Sequence, residues 1–203
     1  MALIKHGNNA LSNVTAFPSA VPTGKPVLLS TATASSSSSI EFTSGIDSTY
    51  DIYKFECINI HPSVDGAEFQ FNLSTNGGSS YGVTKTSSHF RVVHNEADTA
   101  TSLQYDGALH LAQSTSAQQL VENNGADNDQ NASGTIYLFQ PSSSIFVKHY
   151  LTIFNTNQIS NYSIAHYIGG YANTTTAINA IKFTNSSGNI DAGTIKMYGI
   201  KAW

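Results

Sequence analysis

Apolar and polar residues alternate along most of the chain after residue 26, in short runs divided by clusters of glycine, asparagine and serine. One such run covers residues 51–60, where Tyr53, Phe55 and Cys57 fall on one side of an extended chain. A period of two predicts β-strands, and no stretch has the apolar spacing of a substantial helix. The predicted strands cover residues 27–32, 38–43, 51–60, 67–74, 90–94, 118–122, 134–140, 145–155, 162–171, 178–184 and 194–202.

Many short strands separated by turn residues predict an all-β fold, an antiparallel β-sandwich. Among sandwich topologies the jelly roll suits eight or more strands with long end loops, although the pattern does not separate it from other Greek-key sandwiches. The serine run 35–39 lies between the first two predicted strands. Because it is so short, it is interpreted as a hairpin loop and not as a flexible linker.

The chain divides into two predicted parts. Residues 1–25 contain Pro18, Pro22 and two glycines but little periodicity, which predicts an extended N-terminal arm. Residues 26–203 form the predicted sandwich domain. A chain of 203 residues can bury nearly 70% of its extended surface on folding, so one domain is enough.

The distribution of charge argues against a nucleic-acid partner. The net charge is −4, and the nine basic residues are scattered, with Arg91 the sole arginine. Phosphate recognition needs clustered lysine and arginine. Residues 92–147 contain acidic residues but no basic one, which predicts a solvated acidic face or, alternatively, a site for a cation. The N-terminus has no long apolar stretch, so neither a signal peptide nor membrane insertion is predicted.

Two groups of residues are candidate metal sites, but no metal or other cofactor is predicted. Asp127 and Asp129 offer oxygen ligands at alternate positions, but the later acidic residue of a hand-type calcium loop is missing, so a loop that bonds to itself is favoured. His89 and His94, with Asp98 nearby, fit no standard zinc spacing and are interpreted as loop or strand-edge histidines.

The sequence contains no motif that predicts an enzyme. There is no Gly-x-Ser-x-Gly elbow, phosphate-binding loop or zinc-protease helix, and a lone Cys57 within a strand is a poor nucleophile. Tyr81, Tyr105 and Tyr171 lie near predicted loops and could stack on a sugar. The alternative is that these rings pack in the core or in an interface.

Several segments together resemble a group of marine-type tailed-phage virion structural proteins. The closing segment SSGNIDAGTIKMYGI, residues 186–200, is the most informative of them. The other segments precede it in the chain, in an order that matches that group. They are residues 42–51 (FTSGIDSTYD), 59–67 (NIHPSVDGA) and 72–81 (NLSTNGGSSY), and segment 139–149 (FQPSSSIFVKH) is also similar in style. The matches span roughly residues 30–200, and members of the group are mostly known as virion proteins without a chemical activity.

The resemblance implies a non-enzymatic protein on the exterior of a phage particle, with other capsid or tail proteins as partners. A short chain without a fibre shaft favours capsid decoration over the alternative, a tail-fibre or receptor-binding component that recognises a host surface glycan. Few surface charges suit packing against copies of the same chain, and a homotrimer is expected. The predicted arm would attach to the particle through Leu3, Ile4, Lys5, Leu11, Val14 and Phe17.

Overall fold

The computed structural model describes residues 25–105, 107 and 109–201. All the regular elements in this part of the chain are β-strands, and every pairing between them is antiparallel. The strands are β1 (Val27–Ser37), β2 (Ile40–Phe42), β3 (Ile52–Pro62), β4 (Phe69–Ser74), β5 (Lys85–Asn95), β6 (Thr101–Tyr105), β7 (Gln118–Gln119), β8 (Ala132–Phe139), β9 (Lys148–Gln158), β10 (Tyr162–Ala172), β11 (Ala180–Asn185) and β12 (Ile190–Ile200).

The strands form a large sheet in the order β1-β12-β3-β8-β9-β10-β5-β6 and a small sheet in the order β2-β11-β4-β7. Eight of them pair in a nested order: β1 with β12, β2 with β11, β3 with β8, and β4 with β7. Successive pairs in this nest belong alternately to the large and the small sheet. The hairpins β5–β6 and β9–β10 are additions that extend only the large sheet.

The core lies between the two sheets and is rich in aromatic rings. Phe183 of β11 is fully buried, and its ring lies 5.7 to 6.3 Å from those of Phe42, Phe55 and Phe69. Phe55 belongs to the large sheet, so these contacts join the two layers. Alternation along β3 places Tyr53, Phe55 and Cys57 in this core, as the sequence predicts. The prediction of an all-β antiparallel sandwich is therefore confirmed.

Strand β4 of the small sheet reaches the far half of the large one, where the Phe71 ring packs on Tyr150 of β9 and Asn72 Oδ1 accepts from Lys85 of β5, and loop segments complete the cover. Residues 109–131 lie over the inner side of β5, β9 and β10. Leu111 exchanges hydrogen bonds with Ser87, the Tyr150 hydroxyl donates to Gln118 Oε1 at 3.0 Å, and Glu122 forms an ion pair with Arg91. On the outer side of the large sheet, the side away from the small sheet, the alternate residues of β5, β6 and β9 are exposed.

The structure corrects several strand predictions. The serine run is not a hairpin loop, because β1 continues to Ser37 and β2 lies in the other sheet, so the chain crosses between layers. Strand β6 was not predicted, and β5 begins at Lys85, five residues before the predicted start. The predicted strand 118–122 is reduced to Gln118–Gln119, and β9 begins at Lys148. Hydrogen-bond partners distant in sequence, rather than local alternation, set these limits.

Candidate binding surface

An apolar patch lies on the outer side of the large sheet, at the end formed by β9, β10, β5 and β6. Cross-strand register places Tyr105, Phe90, Tyr167 and Ile153 in one row across four strands. A second row joins Leu103 to Val92 and Ala165. We call this patch the apolar face and define it by Phe90, Val92, Leu103, Tyr105, Leu151, Ile153 and Tyr167.

The large side chains of the apolar face are unusually exposed for their type. Leu103 is 72% exposed and Tyr105 is 64% exposed, and Leu151 and Ile153 are each 52% exposed. The rings of Phe90 and Tyr167 stack in parallel, with centroids 4.8 Å apart. Single exposed apolar residues are common on protein surfaces, whereas a contiguous group of this kind marks a binding surface.

The apolar face also lacks charge at its centre. Strands β5, β6, β9 and β10 contain three lysine or arginine residues and no aspartate or glutamate. The three are Lys85, Arg91 and Lys148, and alternation places all of them on the inner side. Apart from the histidines His94 and His149 near its borders, the outer side of these strands carries only apolar and uncharged polar side chains.

A shallow depression of about 460 Å³ adjoins the apolar face at the end where β10 finishes. Its walls include Phe139, His149, Leu151 and Tyr171, and the backbone at Gly169 and Gly170 forms part of its floor. Gly170 allows the Tyr150 side chain to lie close against the backbone, because a Cβ atom at this position would be 2.5 Å from atoms of Tyr150. An open depression with aromatic walls has the shape and chemistry that a sugar ring could occupy.

The structure places two of the three candidate sugar-binding tyrosines on the same side of the large sheet, at separate positions. Tyr105 and Tyr171 lie on the outer side of the large sheet, in the apolar face and in the depression respectively. Tyr81 lies elsewhere: its hydroxyl donates to Glu41 at 2.9 Å, and the Lys182 ammonium lies 4.5 Å from its ring centroid. Burial and the Glu41 carboxylate raise the pKa of Tyr81 to about 12.

The residues considered as metal ligands do not form a cluster. Asp127 and Asp129 are exposed, and the loop bonds to itself where the Gln130 amide donates to the Asp127 carbonyl at 2.8 Å. Within the described ranges, no group of three or more histidine, cysteine, aspartate or glutamate side chains is placed to hold a metal ion.

His89 and His94 lie on opposite sides of β5, so they cannot act together. His94 contacts Asp98 at 3.1 Å on the surface. His89 is buried and stacks on His166, with 3.1 Å between His89 Nε2 and His166 Nδ1. The interpretation of His89 as a loop or strand-edge residue was therefore wrong, because β5 begins earlier than predicted and turns this side chain inward.

Two buried lysines were missed by the sequence analysis. Lys85 and Lys148 are both cross-strand neighbours of Ala172, and neither is exposed. The Lys85 ammonium donates to Asn72 Oδ1 and to the Val83 carbonyl, and the Lys148 ammonium donates to the carbonyls of Phe146 and Thr174. Burial lowers the pKa of both, in the case of Lys85 to about 8. The sequence does contain a signal for both lysines. Each stands two residues from the next inward-facing residue of its strand, so alternation places it on the inner side.

The lone cysteine is placed where it cannot react. Cys57 is 1% exposed within β3, and burial raises the pKa of its thiol. Since the thiolate is the reactive form, we expect no reaction of the native protein with a thiol reagent such as dithionitrobenzoate. One thiol per chain should react once the protein is unfolded in guanidinium chloride. Rapid labelling of the native protein would contradict the buried position.

No helix in the described part of the chain is long and apolar enough to cross a membrane. Comparisons with protein-family models, with curated proteins and with solved structures each gave no significant match.

Proposed function

We propose that this protein is a non-enzymatic structural component of a tailed-phage virion, on the exterior of the particle, where it decorates the capsid. Its partners would be other virion proteins and further copies of itself, as a homotrimer. The N-terminal arm, whose residues 1–24 and attachment side chains lie outside the described residues, would hold it on the particle. The sandwich would supply a rigid body with no reaction to perform.

The nested strand pairing is the observation that carries this proposal. In an eight-stranded jelly roll, the first strand pairs with the eighth, the second with the seventh, and so on inward, in two sheets. The pairs β1–β12, β2–β11, β3–β8 and β4–β7 follow that order, which supports a jelly roll with two added hairpins. Jelly rolls are common in viral capsids.

The segments that resemble phage virion proteins fall on structural positions of this nest. Segment 186–200 contains the turn before β12 and β12 itself, which lies between β1 and β3 in the large sheet. Segment 72–81 contains the end of β4 and a turn in which Gly77 and Gly78 have positive φ. The resemblance thus involves interior strands and glycine-containing turns, which are positions that fix a fold.

The copy number per purified particle tests the proposed location. It would be measured by quantitative mass spectrometry against the major capsid protein. A copy number comparable to that of the capsid protein is expected for a decoration protein. A number close to that of a tail protein would move the protein to the tail, and absence from purified particles would overturn the virion proposal.

Deletion of residues 1–25 tests the role of the arm. We expect the truncated protein to lose binding to particles that lack it, because the proposed attachment side chains are removed. Its sandwich should stay folded, since the deletion ends before β1. Co-sedimentation with particles measures the binding, and circular dichroism with thermal melting provides the folding control. Undiminished co-sedimentation of the truncated protein would rule out attachment through the arm.

A second candidate function, recognition of a host glycan, is favoured by the depression beside Tyr171. Lectin domains also use the jelly roll, so the fold is compatible with both functions. Tyr171→Ala should abolish binding on a glycan array, whereas Tyr81→Ala, which alters a ring outside the depression, should leave it intact. Equal binding by both variants would exclude this site, and no binding by the wild-type protein would remove the candidate.

A further inference from the structure

We propose that the apolar face is the contact surface between copies of this chain, so that its occupant is a second copy: the same face in a two-fold pair, or a neighbouring surface in the proposed trimer. This inference deepens the homo-oligomer part of the proposed function and rests on it. Three properties of the face support self-association: its area, its lack of charge and the uneven height of its side chains.

The area suits a protein interface. A large apolar residue has roughly 150–200 Å² of surface, so the exposed fractions of the six most exposed members correspond to about 500–650 Å². The largest apolar patch on a typical monomer is about 300–600 Å², and a stable interface buries about 800 Å² on each partner. The apolar face with a polar border therefore matches one side of a standard interface.

The lack of charge favours an identical copy over a charged partner. Two like charges that meet across an interface repel, and a self-association surface must avoid this. The strands of the apolar face carry their three charged side chains on the inner side, so two copies can meet without such a cost. An acidic, basic or nucleic-acid partner would find no counter-charge on the same strands.

The relief allows side chains of two sheets to interdigitate. Gly169 lies in register between Ser88 and Leu151 and has no side chain. It therefore leaves a gap in the surface beside the projecting side chains of Leu151 and Tyr167. Sheets that pack face to face interdigitate such side chains across about 10 Å.

The test compares two substitutions of nearly equal exposure. Leu103→Glu places a charge in the apolar face at a site 72% exposed, and Ile145→Glu places it in a loop outside the face at a site 73% exposed. Ile145 lines a separate depression with Ser48 and Gln140. Ile153→Glu provides a second variant within the face. Masses would be measured by light scattering over a dilution series, with circular dichroism to verify folding.

We expect the wild-type protein and Ile145→Glu to be oligomers of the same mass. Leu103→Glu and Ile153→Glu should dissociate, with a dissociation constant raised about 30-fold or more, as for the loss of an interface hot spot. A monomeric wild-type protein would overturn the inference, and so would a Leu103→Glu variant that associates as Ile145→Glu does. A monomer that begins to associate only when residues 1–25 are deleted would show that the chain's own arm covers the face.

These outcomes are independent of the copy number on particles. An oligomer that dissociates on Leu103→Glu but is absent from particles would refute the virion proposal and leave the contact surface standing. A protein that is present on particles but monomeric in solution would refute the contact surface and leave the virion proposal standing.

Discussion

Replacing Phe183 with alanine should lower the free energy of unfolding by about 3–5 kcal/mol, the usual cost of removing a buried phenylalanine. Phe183 is fully buried, and its ring contacts Phe42 in its own sheet and Phe55 across the core. Alanine would leave a cavity that touches both layers, and strands held in two ladders cannot move together to fill it. The loss should appear in guanidinium chloride unfolding and as a melting temperature lower by about 6–20 °C.

Phe146→Ala is the matched control for this experiment. Phe146 is 71% exposed in the loop before β9, so the same change of side chain removes little buried surface. We expect an effect within about 0.5 kcal/mol. Both variants should be compared with the wild type at one protein concentration, because self-association raises apparent stability. Similar losses for the two variants would mean that Phe183 does not join the sheets as described.

The free energy of unfolding should rise by about 2–3 kcal/mol between pH 8 and pH 10 because of Lys85. Burial lowers the pKa of Lys85 in the folded protein to about 8, whereas a lysine in the unfolded chain has a pKa of about 10.4. In this interval the unfolded state holds more protons than the folded state, so stability increases with pH. Burial lowers the pKa of Lys148 as well, which acts in the same direction.

The rise should end near pH 10, because the buried tyrosines then act in the opposite direction. Burial raises the pKa of Tyr53 to about 12 and also raises the pKa of Tyr150. The unfolded state therefore loses tyrosine protons first, and stability falls as the pH increases further. A maximum near pH 10 in the urea midpoint is the expected signature.

Lys85→Met tests the assignment of this pH dependence. Methionine has a similar length and no charge, so the variant should lose most of the rise and keep only the part due to Lys148. Lys201→Met, at an exposed position after β12, is the control and should retain the wild-type curve. A wild-type protein whose stability is constant or falls between pH 8 and pH 10 would contradict the burial of a charged Lys85.

The apolar face and the buried lysines have one structural origin. On β5 the polar side chains of Lys85, Ser87 and His89 face inward, and Phe90 and Val92 face solvent. This is the reverse of the usual arrangement in a sandwich strand. The inner side of this part of the sheet is covered by segment 109–131 and by Asn72 of β4, so polar groups there can find partners. The outer side is consequently left with the apolar residues.

Much of the fold was determined by the sequence alone, because alternation is a local property. The period of two in residues 51–60 placed Tyr53, Phe55 and Cys57 in the core, and the structure confirms it. The all-β class and the antiparallel sandwich followed from the same pattern. The candidate residues Tyr105 and Tyr171 were also selected from sequence, and both lie on the outer side of the large sheet.

Only the tertiary structure decided which side of each strand faces the core and which strands are neighbours. Alternation places Phe90 and Val92 together, but it does not say that their side is the outer one. The serine run could not be recognised as part of β1, since its partners in β12 lie more than 150 residues away along the chain. Tyr81 was selected on the same grounds as Tyr171. Its hydroxyl, however, donates to Glu41, and its ring contacts the Lys182 ammonium, both on strands of the small sheet. Such outcomes depend on contacts between segments distant in sequence, and local periodicity carries no information about those contacts.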